Sequence, residues 1–236
     1  MCETCGCGDP EVVPHEIQES ILAANDRAAA HNRQHFSRSS VLALNLMGSP
    51  GSGKTALLEA TAGLVEGRWR LAAMSGDLAT ENDAERLRAA GIEATTITTG
   101  SACHLDAELV HRALHDLEGS AYDLLFIENV GNLVCPAIYD LGQAANVVAL
   151  SLTEGVDKPL KYPVIFRKAD LVVLTKSDLL PHLPGVSVEA VAENLSRVMP
   201  EPRMIVTSAL RGEGMSEWMG WLESRRQTVD AGVASV

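Results

Sequence analysis

The octapeptide Gly48-Ser49-Pro50-Gly51-Ser52-Gly53-Lys54-Thr55 fits the pattern G-x-x-x-x-G-K-[ST]. It directly follows the apolar run Val41–Met47, which predicts a buried strand, and a helical segment starts near Lys54. Glycines let backbone N–H groups converge on phosphate oxygens, and the N-terminus of the next helix adds a partial positive charge. We therefore predict a P-loop in which residues 48–55 bind the phosphates of a nucleotide.

Four side chains are expected to carry the phosphate chemistry. Lys54 should contact the β- and γ-phosphates and act catalytically, and the Thr55 hydroxyl should bind Mg²⁺. Asp77 and Glu128 follow predicted strands, at the ends where open α/β sheets bind ligands. Either carboxylate can hold Mg²⁺ directly or through water, so both are predicted metal ligands and catalytic groups. For Glu128 the alternative is a strand-end carboxylate that faces solvent.

The tetrapeptide Thr175–Asp178 (TKSD) resembles the guanine-binding motif [NT]-K-x-D. The Asp178 carboxylate can accept hydrogen bonds from guanine N1–H and N2–H₂, a donor pair that adenine lacks, and the Lys176 stem would lie along the base. Ser208 and Ala209 resemble the loop whose main-chain N–H contacts the guanine oxygen. These residues predict GTP as the nucleotide; the alternative is a surface turn rich in Lys and Asp.

A second Lys-x-Asp sequence, Lys168-Ala169-Asp170, precedes the predicted strand Leu171–Leu174 instead of following it. Its carboxylate would therefore point to the wrong end of the sheet for base recognition. In the preferred motif Thr175 replaces the commoner asparagine, which predicts a weaker grip on the base.

Short apolar runs alternate with helical segments from Val41 onward. Several runs are nearly continuous, as expected when helices cover both faces of a parallel sheet. We predict an α/β fold, a P-loop NTPase domain with a mostly parallel sheet flanked by helices. The predicted strands are Val41–Met47, Arg70–Ser75, Ala94–Thr98, Asp123–Ile127, Asn146–Leu152, Leu171–Leu174 and Arg203–Thr207, and the predicted helices start near Lys54, Thr80, Asp106, Val188 and Met215.

The chain divides into four predicted segments. Residues 1–10 form a Cys-rich metal-binding tail, and residues 11–38 contain an amphipathic helix, with apolar residues at three- and four-residue spacing, and a linker. Residues 39–226 form the P-loop GTPase domain, and residues 227–236 are a frayed C-terminus.

Composition and charge exclude several classes of partner. The hydrophobic content of 46% suits a globular domain, and a formal net charge of −12 argues against nucleic acid or an anionic membrane as a partner. No apolar stretch approaches the roughly 18 residues needed to span a bilayer, and the N-terminus lacks the features of a secretory signal. We therefore expect a cytoplasmic protein whose thiols stay reduced.

Three of the five cysteines, Cys2, Cys5 and Cys7, lie within the first seven residues. In a reducing compartment this spacing suits a soft or borderline metal such as Zn²⁺, Ni²⁺ or Cu⁺. If Met1 is removed, the amine of Cys2 becomes a fourth donor, and a planar S₃N set favours Ni²⁺. A redox Cys-x-x-Cys pair is the alternative.

A second candidate metal site combines Cys103 and His104 with Cys135. Adjacent residues on a strand point to opposite faces, so Cys103 and His104 can share an ion only in a loop or at a helix start. Three ligands leave an open position or imply a second subunit. Taken singly, a buried thiol or an isolated histidine is the simpler interpretation.

The remaining histidines lack a shared metal spacing apart from two i,i+4 pairs, His31/His35 and His111/His115, and we expect all of them to lie on exposed helix surfaces. They are His15, His31, His35, His111, His115 and His182.

Together these motifs resemble the HypB family, the hydrogenase nickel-incorporation GTPases, over roughly residues 1–225. The resemblance is carried by Cys2–Cys7, the P-loop, Gly76–Asp83, Cys103–Ala107, Glu128–Pro136 and Thr175–Asp178.

The resemblance implies a SIMIBI-type G domain and a GTP-dependent homodimer that holds nickel or zinc near its interface at Cys103, His104 and Cys135. It also implies a tight nickel site on the N-terminal cysteines, and delivery with a HypA-type accessory protein to the hydrogenase large-subunit precursor. The polyhistidine stretch of some members is absent, so bulk nickel storage is not expected.

Three other functions share part of this pattern. A urease-type nickel GTPase would carry Cys-Pro-His, which is absent here. A small-molecule kinase would share the P-loop but would have no use for Cys103, His104 and Cys135. A zinc-binding adaptor with weak nucleotide turnover would use the metal ligands alone.

Overall fold

The computed structural model describes residues 15–65, 67–77, 81–100, 102–117 and 121–233. Its centre is a seven-stranded sheet in the order β3-β2-β4-β1-β5-β6-β7, and every neighbouring pair is parallel. The strands are β1 Leu42–Met47, β2 Leu71–Asp77, β3 Glu93–Thr98, β4 Leu124–Glu128, β5 Ala145–Ser151, β6 Leu171–Thr175 and β7 Met204–Val206. The predicted fold class is confirmed, and each predicted strand is found within two residues of its expected bounds.

Eight α-helices accompany the sheet in the described part of the chain. They are α1 His15–Arg38, α2 Lys54–Val65, α3 Asn82–Ala89, α4 Ala107–Leu114, α5 Lys158–Lys161, α6 Pro163–Lys168, α7 Val188–Ser196 and α8 Met215–Val233. Helix α4 begins where predicted because Asp106 caps it by accepting a hydrogen bond from Leu109 N at 2.8 Å. Helix α3 begins at Asn82; Thr80 lies outside the described residues. None of the described helices is both long and apolar enough to cross a membrane.

Helices cover both faces of the sheet, which explains the apolar strands. Alternate residues of β1 enter different cores: Leu42, Leu44 and Leu46 pack with α2, α3 and α8, whereas Ala43 packs with α1 and α4. A third core joins β5 and β6 to α6 and α7. Strands β1, β4 and β6 are buried along their whole length, as parallel strands covered on both faces should be.

No linker lies within residues 15–38, because α1 spans all of them; residues 11–14 lie outside the described residues. The second half of α1 is held by tertiary contacts that the local pattern did not reveal. Asn32 is fully buried and donates hydrogen bonds to Ala107 O and Leu141 O, and Phe36 packs in the α1–α4 core.

The predicted frayed end at 227–236 also begins too early, since α8 continues to Val233. Val229 packs against the core, and Arg226 forms an i,i+4 ion pair with Asp230 at 2.8 Å. Helices α5 and α6 were not predicted. Each is very short and carries a proline in its first turn, so neither is long enough to show helical periodicity in its sequence.

Trp218 anchors α8 on the sheet, and its loss should destabilise the fold. Its side chain is 1% exposed, and Nε1 donates to Thr61 Oγ1 at 2.8 Å. We expect Trp218→Ala to lower the free energy of unfolding by about 3–5 kcal/mol, measured by urea denaturation. The matched control is Leu210→Ala at an 85% exposed position, which should change it by less than about 0.5 kcal/mol. Equal effects of the two substitutions would contradict this account of the core.

Candidate functional site

The P-loop lies between β1 and α2, at the carboxyl end of the central strand. Two of its glycines are required by geometry. Gly53 has a φ of 93°, and a Cβ on Gly48 would lie 2.4 Å from Ala149 O. A cavity of about 370 Å³ opens beside the loop and is also lined by Glu128. The structure thus places the predicted phosphate-binding residues around one open cavity.

Thr55, Asp83 and Glu128 form a group suited to a hard cation. Thr55 Oγ1 lies 3.0 Å from Asp83 Oδ1 and 2.9 Å from Glu128 Oε1. The Glu128 side chain is 3% exposed, and its Oε2 is buried without a hydrogen-bond partner in the described part of the chain. A hydroxyl, two carboxylates and an unsatisfied carboxylate oxygen fit the oxygen ligands that Mg²⁺ prefers.

Burial and charge shift the ionisation of this group. Burial raises the pKa of Glu128 to about 7, and nearby Lys54 partly opposes the rise. Burial likewise lowers the pKa of Lys54, against the attraction of Glu128 and Asp83. Lys54 and Glu128 therefore favour one another's charged forms against the burial that disfavours them.

Sequence reasoning did not assign a role to Asp83. Its position in the first turn of α3, after a strand end, was the available signal, but its contact with Thr55 requires knowing where α3 packs. Asp77 ends β2 at the carboxyl end of the sheet, as predicted, and its side chain lies outside the described part of the structure.

The predicted base-recognition residues meet the P-loop at the end of β6. Lys176 has a left-handed backbone (φ 62°), and its Nζ donates to Gly51 O at 2.7 Å. Asp178 Oδ1 accepts a hydrogen bond from Ser208 Oγ at 2.6 Å, which joins the two predicted guanine-binding segments. Thr175 Oγ1 donates to Ser52 O at 2.6 Å. The residue that replaces the commoner asparagine therefore supports the P-loop backbone.

The other Lys-x-Asp sequence, Lys168-Ala169-Asp170, lies outside the base-recognition site. Asp170 precedes β6, and its Oδ2 accepts from Asn146 N, at the start of β5. Asp170 therefore lies at the opposite end of the sheet from Asp178, as the sequence predicts.

Cys103, His104 and Cys135 come together in loops at the carboxyl end of the sheet. Their potential ligand atoms all lie within 4.8 Å of one another. Cys103 Sγ is 2.8 Å from Cys135 Sγ, longer than a disulfide bond of about 2.05 Å, and 3.8 Å from His104 Nδ1. As expected, Cys103 and His104 lie in the loop before α4 and not in a strand. Three converging donors leave a coordination position open.

His104 is fixed by its surroundings. It is 3% exposed and stacks on Tyr139 with ring centroids 4.0 Å apart. Burial lowers the pKa of His104, which favours the neutral imidazole that metals bind.

Residues 128–135, here called the connecting segment, run from the candidate cation site to the candidate cysteine site. Asn132 N donates to Gly48 O at 3.0 Å, and its side-chain amide donates to Cys103 O at 3.2 Å. Asn129 Oδ1 accepts from Leu105 N at 3.1 Å. Asn132 thus contacts both the P-loop and the loop that carries Cys103 and His104.

The third predicted metal site, Cys2, Cys5 and Cys7, lies outside the described residues.

The model of the CobW/HypB/UreG nucleotide-binding domain matches residues 42–206. The hydrogenase maturation factor HypB of Azotobacter chroococcum is 53% identical over 211 residues, which cover 89% of this chain and 69% of that protein.

Among solved structures, HypB from Helicobacter pylori in complex with nickel superposes with a TM-score of 0.83 at 38% identity, covering 87% of this chain and 96% of that one. HypB from Archaeoglobus fulgidus gives 0.80 at 41% identity, covering 87% and 100%. The signal recognition particle receptor FtsY shares the fold alone, at 13% identity and a TM-score of 0.53. The chain belongs to the HypB family of the CobW/HypB/UreG nucleotide-binding proteins.

Proposed function

We propose that this chain is a GTP-hydrolysing nickel metallochaperone that delivers nickel during [NiFe]-hydrogenase maturation. The observation that carries the proposal is the double contact of Asn132, which joins the P-loop to the cysteine–histidine loop. A kinase or an isolated zinc adaptor would have no need for that connection. The relatives support the nickel cargo, since a similar HypB was solved with nickel bound.

In this proposal the P-loop and Lys54 bind the triphosphate, and Asp178 selects guanine. Thr55, Asp83 and Glu128 would hold Mg²⁺, which neutralises phosphate charge when bound. Asp77 ends β2 and Glu128 ends β4, the two strands beside the cavity, so both remain proposed to act in hydrolysis.

Cys103, His104 and Cys135 are proposed to carry the nickel, and their soft and borderline donors would also accept Zn²⁺. Three ligands per chain do not close a tetrahedral site, so a homodimer would bring two half-sites together. The HypA-type accessory protein and the hydrogenase large-subunit precursor are the proposed donor or acceptor proteins. Cys2, Cys5 and Cys7 are proposed as a separate, tighter nickel site.

Replacing Asp178 tests the choice of base. We expect Asp178→Asn to weaken GTP binding about 10- to 100-fold, because a hydrogen-bonded carboxylate is lost, and to improve binding of xanthosine triphosphate. Isothermal titration with both nucleotides measures this. Asp170→Asn, in the other Lys-x-Asp sequence, is the matched control and should leave both affinities unchanged. If the Asp178→Asn variant binds GTP as the wild type does, Asp178 does not select guanine.

Replacing Asn132 tests the coupling between the two sites. In the wild type we expect GTP with Mg²⁺ to change nickel affinity by about 5- to 100-fold, and nickel to change GTP affinity by the same factor. Asn132→Ala should bring this ratio close to one, as measured by nickel titration with and without GTP.

The matched control is Asn194→Ala, which removes a single amide hydrogen bond, to Val156 O; neither residue lines the nucleotide cavity or belongs to the cysteine–histidine set. Coupling that survives in Asn132→Ala, or that falls equally in both variants, would contradict the proposed path. Sedimentation of the same samples tests nucleotide-dependent dimerisation.

The proposed nickel site at Cys2, Cys5 and Cys7 can be tested separately from the other proposed sites. A Cys2/Cys5/Cys7→Ala triple variant should lose the near-ultraviolet thiolate-to-nickel absorption and the tight nickel site, yet keep GTP hydrolysis. A Cys103/Cys135→Ala variant is the reciprocal control and should keep the tight site. Identical nickel spectra for the wild type and the triple variant would show that the tail binds no nickel.

A further inference from the structure

The fold brings together two histidine pairs that lie on separate helices. His31 and His35 lie one turn apart on α1, and His111 and His115 lie one turn apart at the end of α4. These two helices pack against each other. The four residues are called the histidine cluster below.

The rings of the cluster are spaced nearly as imidazoles around one ion are. No three of their nitrogens lie within 4.8 Å of one another, so an ion would have to draw the exposed rings toward His111. The His31 and His111 centroids are 4.7 Å apart at an interplanar angle of 69°, and those of His111 and His115 are 5.6 Å apart at 74°. Imidazoles that bind one ion at about 2.1 Å have centroids roughly 4.5–5.5 Å apart. His35 lines the same cavity of about 390 Å³ as His111 and His115.

His111 supplies a second, independent observation. Its Nδ1 is buried and has no hydrogen-bond partner in the part of the chain that the structure describes. A buried nitrogen without a partner is destabilising, and coordination of an ion would relieve that cost. His31, His35 and His115 are exposed, so an ion could enter from solvent.

The chemistry of the cavity favours a metal cation over an anion. Arg70, the arginine among the described lining residues, donates two guanidinium hydrogen bonds to Asp123 at 3.1 and 3.0 Å, which neutralises its charge. Imidazole nitrogens remain as the main ligands, and Ni²⁺ and Zn²⁺ both bind them well.

We propose that His31, His35, His111 and His115 form a further, exchangeable binding site for a divalent transition metal, Ni²⁺ or Zn²⁺. The cavity is also lined by Val41, Arg70 and Tyr122, which precede β1, β2 and β4. The site therefore lies at the end of the sheet where strands begin, opposite the P-loop and the cysteine–histidine site.

The test uses the full-length chain with Cys2, Cys5, Cys7, Cys103 and Cys135 replaced by Ala, titrated calorimetrically with nickel chloride. We expect one ion per chain to bind. His111→Gln and, separately, the exposed His31→Gln should each weaken that binding at least about tenfold. His182→Gln, which removes an exposed histidine elsewhere, is the matched control and should bind as before.

A second measurement does not depend on the cysteine-free chain. By equilibrium dialysis, His31→Gln in the otherwise wild-type chain should hold one nickel ion fewer than wild type and than His182→Gln. If the cluster variants and the His182→Gln control bind nickel alike in both measurements, the proposal is overturned and the rings only pack. GTP hydrolysis is not part of either readout, so the outcome is separate from that of the proposed function.

Discussion

All seven strands run parallel, so every strand ends on the same side of the sheet, and the nucleotide site depends on this constraint. The P-loop follows the central strand β1, Glu128 ends the neighbouring β4, and Thr175 ends β6. Hydrogen bonds then join these strand ends, from Thr55 Oγ1 to Glu128 and from Thr175 Oγ1 to Ser52 O. Residues far apart in sequence thereby surround one cavity on short connections.

The same constraint brings the candidate metal-binding loops beside the P-loop, because the loop after β3 and the connecting segment after β4 leave the sheet at its carboxyl end. Buried amides hold this layer in place. Asn129 accepts from Leu105 N and donates to Asn45 Oδ1, which fixes the connecting segment to β1 as well as to the metal loop. A buried amide that satisfies several backbone groups allows one arrangement, since any shift leaves polar atoms unpaired.

Local motifs predicted most of this site because each combines residue type, spacing and a strand end. The P-loop, TKSD and the Cys103/His104/Cys135 set all met that condition, and the structure brings each set together. Contacts between separate helices could not be predicted in this way. Asp83 reaches Thr55 only because of where α3 packs, and the histidine cluster exists only because α1 packs on α4. The lengths of α1 and α8 were likewise decided by tertiary burial, which periodicity does not contain.

The two candidate metal sites, the cysteine–histidine site and the histidine cluster, differ in how an ion could leave them. His104 and Cys135 are buried, so an ion there would exchange past the half-buried Cys103 or after the connecting segment shifts. A Cβ on Gly131 would lie 2.8 Å from Pro50, so the P-loop cannot move far without displacing that segment. The histidine cluster lies at the other end of the sheet and has no such contact with the described P-loop residues. Nucleotide-driven motion would therefore act on the cysteine–histidine site and leave an ion in the histidine cluster in simple equilibrium with solvent.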